Sequence, residues 1–100
     1  MSENFSRFDA ADYLKTEEDI AAYLEACAEE NDPALMASAL GAIARARNMS
    51  QLARDTGITR EGLYKALSGE GNPSLDTIMK VAKALGLQMT FKPIHSNHTA

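Results

Sequence analysis

The stretch from residue 50 to residue 68, SQLARDTGITREGLYKALS, constrains the fold more than any other part of the chain. Ser50 can cap a first helix that ends near Thr56, and Gly57 supplies the positive φ with which a helix stops in a short turn. Thr59 can cap a second helix. Its apolar residues share one face by i, i+3 and i+4 spacing: Leu63, Ala66 and Leu67. The stretch predicts two short helices joined by a glycine turn.

The small and apolar residues of this stretch follow a known pattern. Two helices that cross closely need a small residue at the crossing, and Ala53, four residues before Gly57, meets that need. Six positions resemble the helix-turn-helix of Cro and the phage repressors: Leu52, Ala53, Gly57, Ile58, Leu63 and Leu67. Such a motif places its second helix in the DNA major groove. The alternative is an ordinary helical hairpin in a bundle, because those hairpins also turn at glycine.

The polar face of the second helix carries side chains suited to DNA. The planar guanidinium of Arg60 can bind O6 and N7 of a guanine, and Glu61 can accept a hydrogen bond from a cytosine amine. Tyr64 and Lys65 can reach a base edge or the backbone. Four further residues suit phosphate contacts that fix register: Ser50, Gln51, Thr59 and Ser68. For each of these residues the alternative is plain solvent exposure.

The distribution of charge separates two segments of the chain. The net charge is −4, which by itself argues against nucleic acid. However, residues 1–32 hold ten acidic and two basic side chains, whereas residues 33–100 hold four acidic and eight basic. An acidic segment followed by a basic one predicts two surfaces with two partners. The alternative is a solvated acidic helix face that binds nothing.

Capping residues divide the rest of the chain into further helices. Thr16 begins an acidic helix with a stripe at Ile20, Leu24 and Cys27, and Asp32-Pro33 begins a helix that runs to about Arg47. Ser74 begins the last helix, and Gly86 follows its end. The residues predicted on the buried face of this last helix are Leu75, Ile78, Met79, Ala82 and Leu85.

The segment after the last helix has strand periodicity. Leu87, Met89 and Phe91 alternate with polar residues, and Pro93 ends the pattern. Because a lone short strand is not stable in water, it needs a partner. The candidates are the same strand in a second subunit, the residues around Phe5, or a strand of another protein. We favour the first, because two copies about a two-fold axis match two half-sites on DNA.

These elements predict the fold class and the domain organisation. The fold is expected to be all-α, a five-helix repressor-like helix-turn-helix domain with an acidic N-terminal helix and a short C-terminal β-strand that pairs across a dimer. Residues 1–32 form the acidic arm and a helix packed on the same domain. Residues 33–92 form the helix-turn-helix DNA-binding domain, and residues 93–100 form a flexible tail.

Other classes of function find little support in the sequence. Cys27 lies in an apolar stripe and is expected to be a core residue rather than a nucleophile. His95 and His98 are too few for a metal site, and the glycines of GEGN lack the strand and lysine of a phosphate-binding loop. We expect no catalytic residue, cofactor or small-molecule substrate. The chain has no long apolar run or signal pattern, so we expect a cytoplasmic protein without membrane contact.

With these segments placed, the chain resembles the HigA-like antitoxins, often described as probable addiction-module antidote proteins. The similarity covers nearly all of residues 8 to 92. The segments that carry it are FDAADYL, AAYLEA, ALGAIARARNMSQLARDTGITREGLYKALSGEGNPSLDTI and ALGLQ. The resemblance implies an antitoxin of a type II toxin–antitoxin pair. Such a protein neutralises a RelE/HigB-like toxin that cleaves RNA, and represses the shared operon by binding double-stranded operator DNA as a homodimer.

The acidic helix is the expected toxin-binding surface. Toxins of this kind are basic because they bind RNA, so an antitoxin can present carboxylates to them. The residues predicted for this contact are Glu17, Glu18, Glu25 and Glu29. Two alternatives stay open: a free-standing phage-type repressor without a toxin, and a protein-interaction module that has lost DNA binding.

Overall fold

The structure is a computed structural model, and it describes residues 9–94. Within that range it contains a short 3-10 helix followed by five α-helices. Their bounds are Ala10–Tyr13 for the 3-10 helix, Glu17–Ala28 for α1, Pro33–Arg47 for α2, Met49–Thr56 for α3, Arg60–Ala66 for α4 and Leu75–Ala84 for α5. The prediction of a helical chain with five helices is confirmed for these residues.

The first helix begins at a reciprocal cap. The hydroxyl of Thr16 accepts a hydrogen bond from the Asp19 N–H at 3.0 Å, and Asp19 Oδ2 accepts one from the Thr16 N–H at 3.0 Å. The same carboxylate oxygen accepts the Lys15 N–H at 3.0 Å. These bonds satisfy N–H groups that a helix start leaves without partners. The Lys15 and Thr16 N–H groups also lower the pKa of Asp19, because they stabilise its charged form.

Helix α2 is the centre of the molecule. It begins where predicted, since Asp32 Oδ1 accepts the Ala34 N–H at 3.0 Å and Pro33 occupies the first turn. It contacts the 3-10 helix and each of the other four α-helices. Seven of its residues in the middle and C-terminal part are buried: Ala37, Ala39, Leu40, Gly41, Ala42, Ile43 and Ala44.

One hydrophobic core joins all parts of the described chain. Leu14 and Ile20 from the N-terminal part belong to the same buried cluster as Ile43 of α2. The later helices contribute further members, among them Leu52, Leu63, Leu67, Val81 and Leu85. Cys27 is buried as predicted, with 6% of its surface exposed. The acidic helix therefore packs on the same core as α3, α4 and α5.

A close backbone approach between α2 and the end of α4 depends on Gly41. A Cβ atom placed on Gly41 would lie 2.6 Å from the carbonyl oxygen of Leu67 and 3.2 Å from the Leu67 Cβ. Atoms at that distance overlap, so a residue with a side chain would push the two helices apart. The sequence reasoning did not single out Gly41, because its neighbour lies 26 residues away along the chain.

The predicted start of α3 is wrong by two residues. Asn48, not Ser50, caps this helix, and its side-chain oxygen accepts the Gln51 N–H at 3.1 Å. Ser50 instead lies in the first turn and is partly buried. Asparagine caps a helix as well as serine does, and the earlier start lets Met49 bury its side chain in the core.

The predicted buried face of α5 is partly wrong. Its cap at Ser74 is confirmed, since the hydroxyl accepts the Thr77 N–H at 3.1 Å, and Gly86 has a φ of 79°. However, Leu75 and Met79 are 62% and 51% exposed. The packed stripe runs through Ile78, Val81, Ala82 and Leu85. Met79 follows Ile78 and therefore points about 100° away from it around the helix axis. Leu75 is the first residue of the helix.

Residues 87–94 form no strand within the single chain. A strand exists through ladder hydrogen bonds to a neighbour, and a single copy offers this segment none. The predicted strand of Leu87, Met89 and Phe91 is therefore absent from this chain alone, and its pairing in a homodimer stays a prediction. Leu87 packs against the core, whereas Phe91 is 89% exposed. Phe5 and the tail beyond Ile94 lie outside the described residues.

Replacing Gly41 by alanine should destabilise the fold. The added methyl group meets backbone rather than a flexible side chain, so we expect a loss of about 1–3 kcal/mol in the free energy of unfolding, as for other overpacked sites. Urea denaturation followed by circular dichroism measures this loss. Gly62→Ala is the matched control, because its Cβ would meet side-chain atoms rather than backbone. These atoms are the Ile58 Cγ2 methyl and the Thr59 Oγ1 hydroxyl, at 3.1 Å each. Equal stability of the two variants would contradict the close approach at Gly41.

Acid should weaken the fold through Asp19. Its pKa is lowered in the folded chain, so its contribution is present above the ordinary aspartate pKa of 3.8 and is lost as pH falls through the lower folded value. We expect the Asp19→Asn variant to lose less stability than wild type between pH 5 and about pH 2. Urea denaturation at several pH values tests this. Glu18→Gln, which leaves the cap intact, should behave like wild type.

Candidate nucleic-acid interface

A three-residue turn separates α3 from α4. Gly57 has a φ of 75°, and its N–H donates to the Ala53 carbonyl at 2.9 Å. Thr59 then caps α4, because its hydroxyl accepts the Gly62 N–H at 3.0 Å. Ile58, between them, is partly buried against the core. The predicted turn at Gly57 and the predicted cap at Thr59 are both confirmed.

Helix α4 has one buried face and one exposed face. Leu63 and Leu67 are 0% and 3% exposed, and they fix the helix on the core. The predicted DNA-contacting residues of this helix and its end all lie on the exposed surface: Arg60, Glu61, Tyr64, Lys65 and Ser68. At about 100° per residue, the four of these on α4 span about 140° of the helix circumference, so they share one side of the helix.

Arg60 and Tyr64 contact each other one turn apart. The guanidinium carbon lies 5.9 Å from the centre of the tyrosine ring, and Arg60 Nη2 donates to the Tyr64 hydroxyl at 3.5 Å. A cation over an aromatic face is weakly attracted to it, and an exposed pair of this kind is worth about 0.5–1 kcal/mol. The contact limits the conformations of Arg60, whose side chain is still exposed.

The residues predicted to contact phosphate differ in their surroundings. Gln51 donates to Asp55 Oδ1 at 2.8 Å and accepts from Arg54 Nη2 at 2.8 Å, so its amide is held along α3. Ser68 donates to the Lys65 carbonyl at 3.0 Å and accepts the Glu70 N–H at 3.0 Å. Both side chains, like the capping hydroxyl of Thr59, have a structural role. A phosphate contact from them stays a prediction.

A shallow groove runs between α2 and α4. Arg45, at the end of α2, lines it together with Tyr64 and Ser68. The other lining residues are Gly41, Met49, Leu63 and Leu67. Its volume of about 150 Å³ is below the roughly 300 Å³ at which sites for drug-sized molecules begin. The groove is thus too small for a drug-sized ligand.

Arg45 is paired with the segment before α1. Its Nη2 atom lies 2.7 Å from Asp9 Oδ1, and the two side chains are 40% and 46% exposed. The hydrogen bond from Arg45 lowers the pKa of Asp9, with help from the Ala11 N–H. From the sequence, Arg45 lies near the C-terminal end of its helix, where it favours the negative end of the helix dipole and can also reach a phosphate. No local pattern indicates a pair of residues that lie 36 positions apart.

The carboxylates of α1 lie away from the core. Glu17, Glu18, Glu25 and Glu29 are all exposed. At about 100° per residue, the last three of these fall within roughly 40° of each other and opposite the buried side of the helix, while Glu17 lies about a quarter turn away. Glu25 Oε2 is 3.5 Å from the ammonium of Lys92. Three of the four predicted residues therefore share one face.

Within residues 9–94, no group of three or more His, Cys, Asp or Glu side chains is placed to hold a metal ion. His95 and His98 lie outside that range. None of the helices in the described part of the chain is long and apolar enough to cross a membrane.

The fold and its surfaces define a small helical protein with an exposed polar helix on one side and an acidic helix packed on the same core. A sequence profile of the family described as "Probable addiction module antidote protein" matches residues 4–93. The chain belongs to this family. An antidote implies a toxin as its partner, so this much of the resemblance seen in the sequence is confirmed.

A relative from Haemophilus influenzae (strain ATCC 51907 / DSM 11121 / KW20 / Rd), described as an uncharacterized protein, is 60% identical over 88 residues. The aligned region covers 88% of this chain and 91% of the relative. No solved protein structure matches the chain.

Proposed function

We propose that this chain is a HigA-like antitoxin of a type II toxin–antitoxin module. In this proposal it binds operator DNA as a homodimer, represses its own operon and neutralises a RelE/HigB-like toxin that cleaves RNA. Its family supports the antitoxin role. The observation that carries the DNA-binding role is the exposed polar face of α4, held outward by the burial of Leu63 and Leu67.

We assign α3 and α4 to a helix-turn-helix of the Cro type. The short turn at Gly57 and the caps of both helices support this assignment. A helix about 10–12 Å across fits the DNA major groove, which is about 12 Å wide. With α3 across the backbone and α4 in the groove, Arg60 reads a guanine, and Lys65 and the hydroxyl side chains fix the register.

The proposed homodimer uses the C-terminal segment. Leu87, Met89 and Phe91 alternate with polar residues, and Phe91 is exposed in the single chain. Pairing of this segment with its copy would give its backbone the ladder hydrogen bonds that a strand requires. A two-fold dimer would present two α4 helices to half-sites about 34 Å apart, one turn of DNA.

Substitutions on α4 test the DNA-binding role. Arg60→Ala should weaken operator binding by about 1–3 kcal/mol and relax discrimination at one base pair, because the bidentate contact is lost. Arg60→Lys keeps the charge, so it should lose discrimination but retain part of the affinity. Lys65→Ala should reduce the slope of log K against log salt by about 1.8, as expected for one phosphate contact in each of two subunits. Fluorescence anisotropy with the upstream DNA measures all three.

The control is Lys80→Ala on α5, whose ammonium pairs with Asp76 at 3.2 Å and lies outside α3 and α4. It removes the same charge as Lys65→Ala and should change the salt slope less. Unchanged operator affinity in Arg60→Ala would overturn the assignment of Arg60. If the wild-type chain binds no upstream DNA, the interaction module becomes the better description. A footprint over a single half-site would contradict the dimer.

The toxin-binding role is assigned to the acidic face of α1. RNA-cleaving toxins of this type carry a basic RNA-binding surface, so exposed carboxylates on a rigid helix complement it and speed association. Removing residues 1–31 would be a poor test, since Ile20 is part of the core and its loss would disturb the whole fold. Charge-neutralising substitutions in the full chain are the sharper test.

The combined variant Glu18→Gln, Glu25→Gln and Glu29→Gln should bind the toxin more weakly than wild type. Exposed charges at an interface mainly affect the association rate, so we expect the rate of toxin association to fall by about tenfold or more at low salt. Surface plasmon resonance with the toxin from the neighbouring gene measures it. The control variant neutralises three other exposed acidic residues: Asp12, Glu70 and Asp76.

Equal loss in the test and control variants would show that only the total charge matters, and would contradict the α1 surface. The absence of a small basic protein in material copurified from the native operon would favour the free-standing repressor instead.

A further inference from the structure

We infer that Arg45 is an additional DNA-binding residue of this protein, and that its pairing with Asp9 keeps it from contacting DNA in the resting chain. The inference rests on the proposed DNA-binding function and extends it to a residue outside α3 and α4. It assigns the segment before α1 a role in setting DNA affinity.

The position of Arg45 is the first argument. It lines the groove between α2 and α4 together with Tyr64 and Ser68, two of the residues predicted to contact DNA. Arg45 is therefore beside the exposed face of α4 but belongs to a different helix. When α4 lies in the major groove of DNA, the phosphate backbones run along both edges of that major groove. An arginine beside α4 can therefore contact a phosphate.

The present partner of Arg45 is the second argument. Asp9 Oδ1 lies 2.7 Å from Arg45 Nη2, and this same oxygen accepts the Ala11 N–H at 3.1 Å. The Asp9 carboxylate thus neutralises Arg45 beside the proposed DNA face. It also places a negative charge at a position where it repels phosphate.

Asp9 and a DNA phosphate would compete for the same guanidinium. Both side chains are close to half exposed, and an exposed ion pair contributes little to stability. A phosphate offers arginine a charge-assisted, bidentate contact, and its neutralisation releases a condensed counterion. In wild type the Asp9 carboxylate holds this guanidinium, so removal of the Asp9 charge should free Arg45 for a phosphate contact.

The experiment is a double-mutant cycle in the full chain, with Asp9→Asn, Arg45→Gln and the two combined. Asparagine keeps the cap of the 3-10 helix, because its side-chain oxygen can still accept the Ala11 N–H. Asp12→Asn is the matched control, since it removes one acidic charge from the same short segment. Binding to operator and to random duplex is measured by anisotropy between 50 and 200 mM salt, and thermal melting verifies that each variant is folded.

Asp9→Asn should bind DNA more tightly than wild type and more tightly than Asp12→Asn. Its advantage over wild type should shrink by about twelvefold between 50 and 200 mM salt, because one added phosphate contact in each subunit of the proposed dimer steepens the salt slope by about 1.8 in all. In the Arg45→Gln background, Asp9→Asn should have no larger effect than Asp12→Asn has in wild type.

Two results would overturn the inference. The first is an Asp9→Asn variant that gains no more affinity than Asp12→Asn. The second is a gain that persists without Arg45, which would reduce the effect to long-range charge. Binding that depends on Arg60 but not on Asp9 would overturn this inference alone. A wild-type chain that binds neither duplex at 50 mM salt would overturn the proposed DNA-binding function as well.

Discussion

The contact between α2 and the end of α4 is the constraint on which the rest of the structure depends. Gly41 lets the two backbones approach until the Leu67 carbonyl fills the space where a side chain would be. This approach, with Leu63 and Leu67 buried beside it, sets how α4 is rotated on the core. The rotation decides which residues of α4 face solvent. A packing contact that takes no part in binding thus determines which surface we assign to DNA binding.

The parts of the fold that the sequence predicts well are those encoded within a few residues. The caps at Thr16, Asp32, Thr59 and Ser74 and the turn at Gly57 depend on local hydrogen bonds and on local φ angles. The prediction that Ser50 caps α3 was wrong, because Asn48, two residues earlier, is an equally good cap. The strand could not be decided from one chain, since its existence depends on a partner.

Packing and ion pairing between segments that are distant in the chain could not be predicted from local sequence patterns. Helical spacing predicted that Leu75 and Met79 are buried, but both are exposed. Periodicity identifies an apolar face but does not show where the core ends. The polar face of α4 was predictable because it is the complement of a clear apolar stripe. The contact of Arg45 with Asp9 was not, because it depends on how the chain returns over 36 residues. The same holds for the need for glycine at position 41.

The placement of Ile20 in the common core has a consequence for the life of the protein in the cell. The acidic helix is not an appendage that can be trimmed while the remainder persists, because its Ile20 belongs to the same buried cluster as Ile43 of α2. Small domains of this size unfold as one cooperative unit. A protease that captures any unfolded part would therefore destroy both surfaces together. The half-life of the whole chain would then set how long the proposed repression and the proposed neutralisation last, and neither could outlive the other.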